Sequence, residues 1–349
     1  MSTQITRPWL RPFMAGLCFV AVISGSISTG TFFKSQFASY ALHEHERKWQ
    51  DEMDQGIEAF RETAYPLADA HFREALKVCA IDGENYRNSA RWLGVTLYHE
   101  EKDLEAVQKL QKSLYLTRKS FKNASYETAD LTLWYARALE RVGSYPQAER
   151  LYLETLSIYT EITDPLSPNY INASVDYANF LCVQNRPQEA LPFAQEAYLV
   201  DMQDYGLHNS STLQAGKCLA KIYNRLGRLG DAEPLLNQNL ELSRQIYGEK
   251  TQQTAHCYLE LANHCRATKD FDRADLLYKG IVDMLKVTIG PSQTLLIETE
   301  LNYARSLELQ GQYKKAKELI KQCQTQALER YGKRHPLTLG LISEFGRES

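Results

Sequence analysis

Residues 176–206 read DYANFLCVQNRPQEALPFAQEAYLVDMQDYG, and their spacing decides the fold. Tyr177-Ala178, a large residue followed by a small one, precedes a second small residue, Ala190, by twelve positions from Ala178. Two helices approach closely only where small side chains face each other. A gap of twelve leaves room for a helix end, a short turn and a helix start. Leu181 stands four residues after Tyr177, so both share one apolar stripe of a helix. Asn185 tolerates the left-handed conformation that ends a helix, and the apolar Pro187 opens the next one. Tyr205-Gly206 then closes the second helix.

Working outward, the same pattern recurs along the chain. Ala68, Ala106, Ala148, Ala190, Ala232, Ala274 and Ala316 are separated by 38 residues once and by 42 thereafter. Twelve residues before each lies Gly56, Gly94, Ala136, Ala178, Ala220, Ala262 or Ala304. A large residue precedes most of these: Leu93, Tyr135, Tyr177, Leu219, Leu261 and Tyr303. Gly143, Asn185, Gly227 and Gly311 mark the turns, with Lys269 the odd one out. Tyr145, Pro187, Leu229, Phe271 and Tyr313 open the second helices, and Gly206, Gly248, Gly290 and Gly332 end them. A period near forty means stacked supersecondary units rather than one enclosed core.

The pattern resembles the tetratricopeptide repeat: a large residue then Gly or Ala in the first helix, an aromatic and Ala in the second. The 42-residue period and the run Tyr331-Gly332-Lys333-Arg334-His335-Pro336 resemble the kinesin-light-chain variety of that repeat. Coiled-coil heptads ahead of the repeats are not evident, so a motor-adaptor role is not carried over. The periodicity predicts an all-α solenoid of about seven hairpins over residues 49–349 with a terminal cap helix. The resemblance implies a right-handed superhelix. The first repeat is less regular, with Gln55 in place of the large residue, as expected of an end cap. At the other end Phe345-Gly346 falls in phase with the large–small pair.

Composition narrows the function. The net charge of −3 shows no basic excess of the kind nucleic-acid binding requires. The seven cysteines, Cys18, Cys79, Cys182, Cys218, Cys257, Cys265 and Cys323, form no CxxC pair and read as buried free thiols. Residues 13–33 carry no charged side chain, Arg7 and Arg11 precede them, and Lys34 follows. Twenty-one such residues suffice to span a bilayer, and the arginines would hold the N-terminus in the cytoplasm. The strongly apolar part, Phe13–Ile23, is followed by Ser24, Gly25, Ser26 and Ser28, which also suits a cleaved signal. Residues 1–36 are thus a membrane anchor or a signal peptide, and 37–48 a polar helical spacer. Either way the repeats are expected beyond the membrane, anchored, periplasmic or secreted. Asn123, Asn172 and Asn209 begin glycosylation sequons, a short pattern that chance produces often.

No catalytic motif is present: the chain lacks HExxH, a P-loop, GxSxG and a strand–helix GxGxxG. His256-Cys257 and His264-Cys265 resemble a metal pair, but Cys257 and His264 lie about 10 Å apart along one helix at 1.5 Å per residue. One zinc cannot bridge that. No cofactor, metal or small-molecule substrate is expected. The informative polar rows are in register with the repeat. Arg137, Asn179, Lys221, Asn263 and Arg305 follow the small residue of each first helix. The resemblance places this row on the concave groove. Alternating cations and amides suit an extended peptide, amides bonding its backbone and cations its carboxylates. Glu140, Cys182, Asn224, Arg266 and Glu308 form a second row, and Asp130, Asn172, Gln214, His256 and Glu298 a third. The expected function is a non-catalytic protein-interaction scaffold whose groove takes a peptide or partner protein, with an acidic one suited to the cations. Self-assembly through the terminal helices and a non-catalytic role in an enzyme complex remain open.

Overall fold

The computed structural model describes residues 27–79, 83–121, 124–163, 167–288, 293–333 and 335–345. These residues form fifteen α-helices and, among them, no strand. They fall into two compact units that divide between Glu101 and Lys102.

The first unit holds α1 (Ile27–Arg61), α2 (Tyr65–Val78) and α3 (Glu84–His99). The crossing of α1 and α2 depends on Gly56, because a Cβ there would lie 2.5 Å from the Phe72 ring. Ala68, Phe72 and Ala75 are fully buried in the same seam. The indole of Trp49 donates to Ser89 Oγ at 2.9 Å and so ties α1 to α3. Among the described residues, no helix is long and apolar enough to cross a membrane. Residues 1–26, which carry most of the uncharged N-terminal stretch, lie outside the described residues, as does Cys18.

The second unit runs α4 (Asp103–Ser120), α5 (Tyr126–Arg141), α6 (Tyr145–Ile162), α7 (Pro168–Val183), α8 (Pro187–Tyr205), α9 (Ser210–Arg225), α10 (Leu229–Tyr247), α11 (Gln252–Ala267), α12 (Phe271–Thr288), α13 (Gln293–Leu309), α14 (Tyr313–Tyr331) and α15 (Pro336–Phe345). Consecutive helices pack as antiparallel hairpins, α5 on α6, α7 on α8, and so on to α13 on α14. Both small-residue ladders are where the spacing puts them. Ala136, Ala178, Ala220, Ala262, Ala304 and Ala148, Ala190, Ala232, Ala274 are fully inaccessible, and Ala316 nearly so. Large side chains interdigitate around them, with Tyr152, Phe180 and Tyr278 among the most deeply buried.

The turns explain the loop lengths. Gly143, Asn185, Gly227 and Gly311 all adopt positive φ, between 59° and 75°. Lys269, which breaks the Gly/Asn pattern, takes the same conformation with φ 64°. Position in the repeat therefore overrides residue preference at that turn. Gly206, Gly248 and Gly332 cap second helices at φ 72°, 92° and 76°, while Gly290 lies outside the described residues.

A ladder that the sequence reading missed starts the first helices. Ser125, Ser167, Asn209 and Thr251, each 42 residues apart, accept a backbone N–H from the first turn of α5, α7, α9 and α11. Each satisfies one of the donors a helix start leaves unpaired. Asn209, in one of the sequons, makes its bond to Ser211 N at 2.7 Å. Thr212 and Thr254 then donate to the carbonyls of Gly206 and Gly248 at 2.7 Å each, locking one hairpin to the next. Of the six described cysteines, none forms a disulfide; five are buried and Cys79 is half-buried.

Candidate functional site

A cleft of about 960 Å³ opens within the second unit. One wall is built from successive first helices. Lys221, Asn224 and Arg225 come from α9, Glu260, Asn263 and Arg266 from α11, and Glu298, Asn302 and Arg305 from α13. A hairpin stack places equivalent positions side by side, so residues 42 apart in sequence become neighbours. Five of the seven residues proposed from sequence, Lys221, Asn263, Arg305, Asn224 and Arg266, line this one cleft. Arg137 and Asn179 do not line it. Arg137 lies over the Trp134 ring at 4.4 Å and donates through Nε to Asp176 Oδ2 at 2.9 Å. Asn179 turns its amide back onto the Val175 carbonyl at 3.0 Å.

The cations are compensated by a row that the sequence reading overlooked. Asp176 pairs with Arg137 across 39 residues, and Glu260 stands at the same offset from Lys221. Burial alone would lower the pKa of Lys221, but Glu260 and Glu298 more than offset it and hold the ammonium above its ordinary value. The missed signal was a diagonal: 39 is one repeat less one helical turn, so the carboxylate of the next repeat lies beside the cation. Glu344 continues the diagonal from Arg305 in sequence.

Second-row residues behave differently along the stack. Glu140 accepts from the Tyr152 hydroxyl at 2.7 Å, and burial pushes its carboxyl up from the usual range. In the next hairpin but one, Asn224 Oδ1 accepts from His264 Nδ1 at 2.7 Å, which directs the amide nitrogen away from that bond. Asn263 Oδ1 accepts from the Tyr278 hydroxyl at 2.8 Å. Asn224 Nδ2 and Arg266 Nε are buried and have no partner in the protein. A buried donor left unpaired costs about 1–3 kcal/mol. Of the third row, Asn172 and Gln214 are exposed, while His256 is partly buried and held neutral, its pKa lowered to about 3 by burial and then by Lys217 and Lys221.

The cleft is also lined by Asp103, Glu140, Arg141 and Tyr145 and by His335, Leu337, Gly340 and Leu341 from the far end of the unit's sequence. Among the described residues, no cluster of three or more His, Cys, Asp or Glu could hold a metal ion. His264 and Cys265 sit in the packing of α11, with Cys265 buried against Ala262, Ala274 and Tyr278.

Comparison with known proteins agrees with this architecture. A tetratricopeptide-repeat family model matches residues 127–202 and 211–286. No curated protein sequence matches the chain. Among solved structures, aspartyl phosphate phosphatase F from Bacillus subtilis is 12% identical, with a TM-score of 0.65 over 89% of this chain and 78% of that one. A Rap protein complexed with competence and sporulation factor is also 12% identical, with a TM-score of 0.61 over 86% and 84%. A tetratricopeptide repeat protein from Parabacteroides merdae, 12% identical, reaches a TM-score of 0.53 over 86% of this chain and all of its own. At such identities the likeness is one of fold. With the small-residue ladders buried, the helices paired in hairpins and the family model matching four consecutive hairpins, residues 127–286 are tetratricopeptide repeats, and the same ladders continue on either side of them.

Proposed function

We propose that the second unit is a non-catalytic protein-interaction module whose cleft holds an extended peptide of a partner. The observation that carries this reading is the convergence of Lys221, Asn224, Asn263, Arg266 and Arg305, from three successive first helices, on one cleft. Adjacent hairpins present them in a row, which suits acceptors repeating along an extended main chain. Arg225, Arg266 and Arg305 add sites for carboxylates, so an acidic segment is the favoured partner. Glu260 and Glu298 beside Lys221 keep the wall from being a uniform cationic strip. One solved neighbour is a Rap protein in complex with competence and sporulation factor, which supports a ligand-binding use of this fold. If residues 1–36 anchor or export the chain, the cleft works beyond the membrane.

The test is capture of a degenerate pool of short synthetic peptides by the immobilised full chain. Asn224→Ala with Arg266→Met removes both donors without touching the buried alanine ladders. Each donor is worth about 1–3 kcal/mol when its partner is buried, so capture is expected to fall at least tenfold. Acidic peptides should dominate the captured set and weaken with salt, because screening shortens the reach of exposed charge. Unchanged capture by the folded double variant would remove the cleft from consideration. Self-assembly would then lead.

A further inference from the structure

Two of the residues that depart from the repeat pattern meet. The position that opens each second helix is apolar in the five later hairpins, Tyr145, Pro187, Leu229, Phe271 and Tyr313, but is Asp103 in α4. The position that caps first helices is Ser125, Ser167, Asn209 and Thr251, but the series goes on to Gln293 and then to His335 before α15. The two lie 232 residues apart and are joined by a contact of 3.1 Å between His335 Nε2 and Asp103 Oδ2. In a hairpin stack each repeat touches its neighbours, so nothing in the repeat itself calls for this contact.

The geometry defines the bond. His335 Nδ1 accepts from the backbone N–H of Leu337 at 3.3 Å, doing the work of the missing Ser or Thr cap. With Nδ1 accepting, Nε2 carries the proton and donates it to the carboxylate. Tyr331 stacks on the imidazole at a centroid distance of 4.6 Å and fixes its plane. On the other side, Arg141 Nε lies 3.0 Å from Asp103 Oδ1, and the Asp103 side chain is only 2% exposed. A carboxylate buried this deeply is retained only where cations or donors face it. Asp103, Arg141, His335, Leu337 and Leu341 all line the same cleft as Lys221 and Asn263.

We propose that Asp103, Arg141 and His335 form a clasp that joins the two ends of the second unit and sets the width of its peptide cleft. This rests on the peptide-binding reading only for its consequence: opening the clasp loosens part of the cleft lining and shortens the lifetime of the bound peptide. The clasp itself is independent of any ligand. It makes the cleft a site assembled from both ends of the unit, so a partner that binds α4 or α15 would regulate peptide release.

Hydrogen exchange of the full chain tests the clasp, and peptide release tests its effect. Asp103→Ala should speed exchange in α15, and His335→Ala should speed it in α4, each about tenfold, as loss of a hydrogen bond to a charged group allows. Exchange in α10 should not change. Asp103→Asn keeps an acceptor for only one of the two donors and should fall between wild type and Asp103→Ala. Acceleration confined to the mutated end would overturn the clasp. Should Asp103→Ala fail to fold, His335→Ala, which alters a residue outside the hairpin stack, decides alone. In the second arm, peptides captured from the degenerate pool should dissociate several-fold faster from His335→Ala than from wild type. Equal dissociation with an open clasp would overturn the coupling. No capture by any form would overturn the peptide reading, with exchange still deciding the clasp.

Discussion

Asp201 shows how a single side chain can work against its repeat. It is 2% exposed, and its Oδ2 has no partner. Burial, with a smaller contribution from Asp204, raises its pKa from 3.8 to about 6. The folded state therefore binds the proton more tightly than the unfolded one. Stability from this group is fully present below 3.8 and is lost as pH rises through about 6. Asp201→Asn should thus stabilise the chain at pH 8 by about 2 kcal/mol, with the gain vanishing toward pH 4. Thermal melts of both forms at the two pH values check the sign; a larger gain at the acidic end would contradict it. Ala232, by contrast, has no accessible surface and sits at a helix crossing. Ala232→Leu should cost about 1–3 kcal/mol through overpacking, read as a lower urea midpoint. The alanine ladders were legible in the sequence because the same steric demand recurs at every period. The carboxylates facing Arg137 and Lys221 were not, because the pairing runs along a 39-residue diagonal between different rows.

At the scale of elements, turn geometry is set by the hairpin and not by the residue that occupies it. Lys269 adopts φ 64°, a region costing L-residues other than Gly, Asn and Asp roughly 1–2 kcal/mol. Lys269→Gly should therefore stabilise the α11–α12 hairpin by about 1 kcal/mol, less the added chain entropy of glycine. A lower melting temperature for this variant would mean that the lysine side chain contributes something its backbone strain hides. Helix number and hairpin pairing were readable from the two ladders alone. The cap ladder at Ser125, Ser167, Asn209 and Thr251 was equally periodic, but polar residues at loop ends are common, and only their bonds to the first-turn amides distinguish caps from solvated loops.

For the whole molecule, the sequence placed the cleft residues better than it placed their electrostatics. Lys221, Asn224, Asn263, Arg266 and Arg305 converge on one cleft because first-helix positions repeat side by side. The Asp103–His335 contact was invisible in advance, because the two belong to no common row and meet only in three dimensions. The N-terminal stretch has its own test. Full-length chain is expected to fractionate with membranes, and removal of residues 1–33 to release a folded, soluble protein; recovery of the full-length chain wholly in the cytosol would reject both the anchor and the signal. The central claim, that a partner lies in the cleft, is tested most directly by photocrosslinking from chosen positions. A benzophenone side chain replacing Arg225, which is exposed and lines the cleft, should crosslink a bound peptide partner. The same group replacing Leu199, 67% exposed on α8 and outside the cleft, should not. Crosslinks from position 199 with none from position 225 would contradict the account.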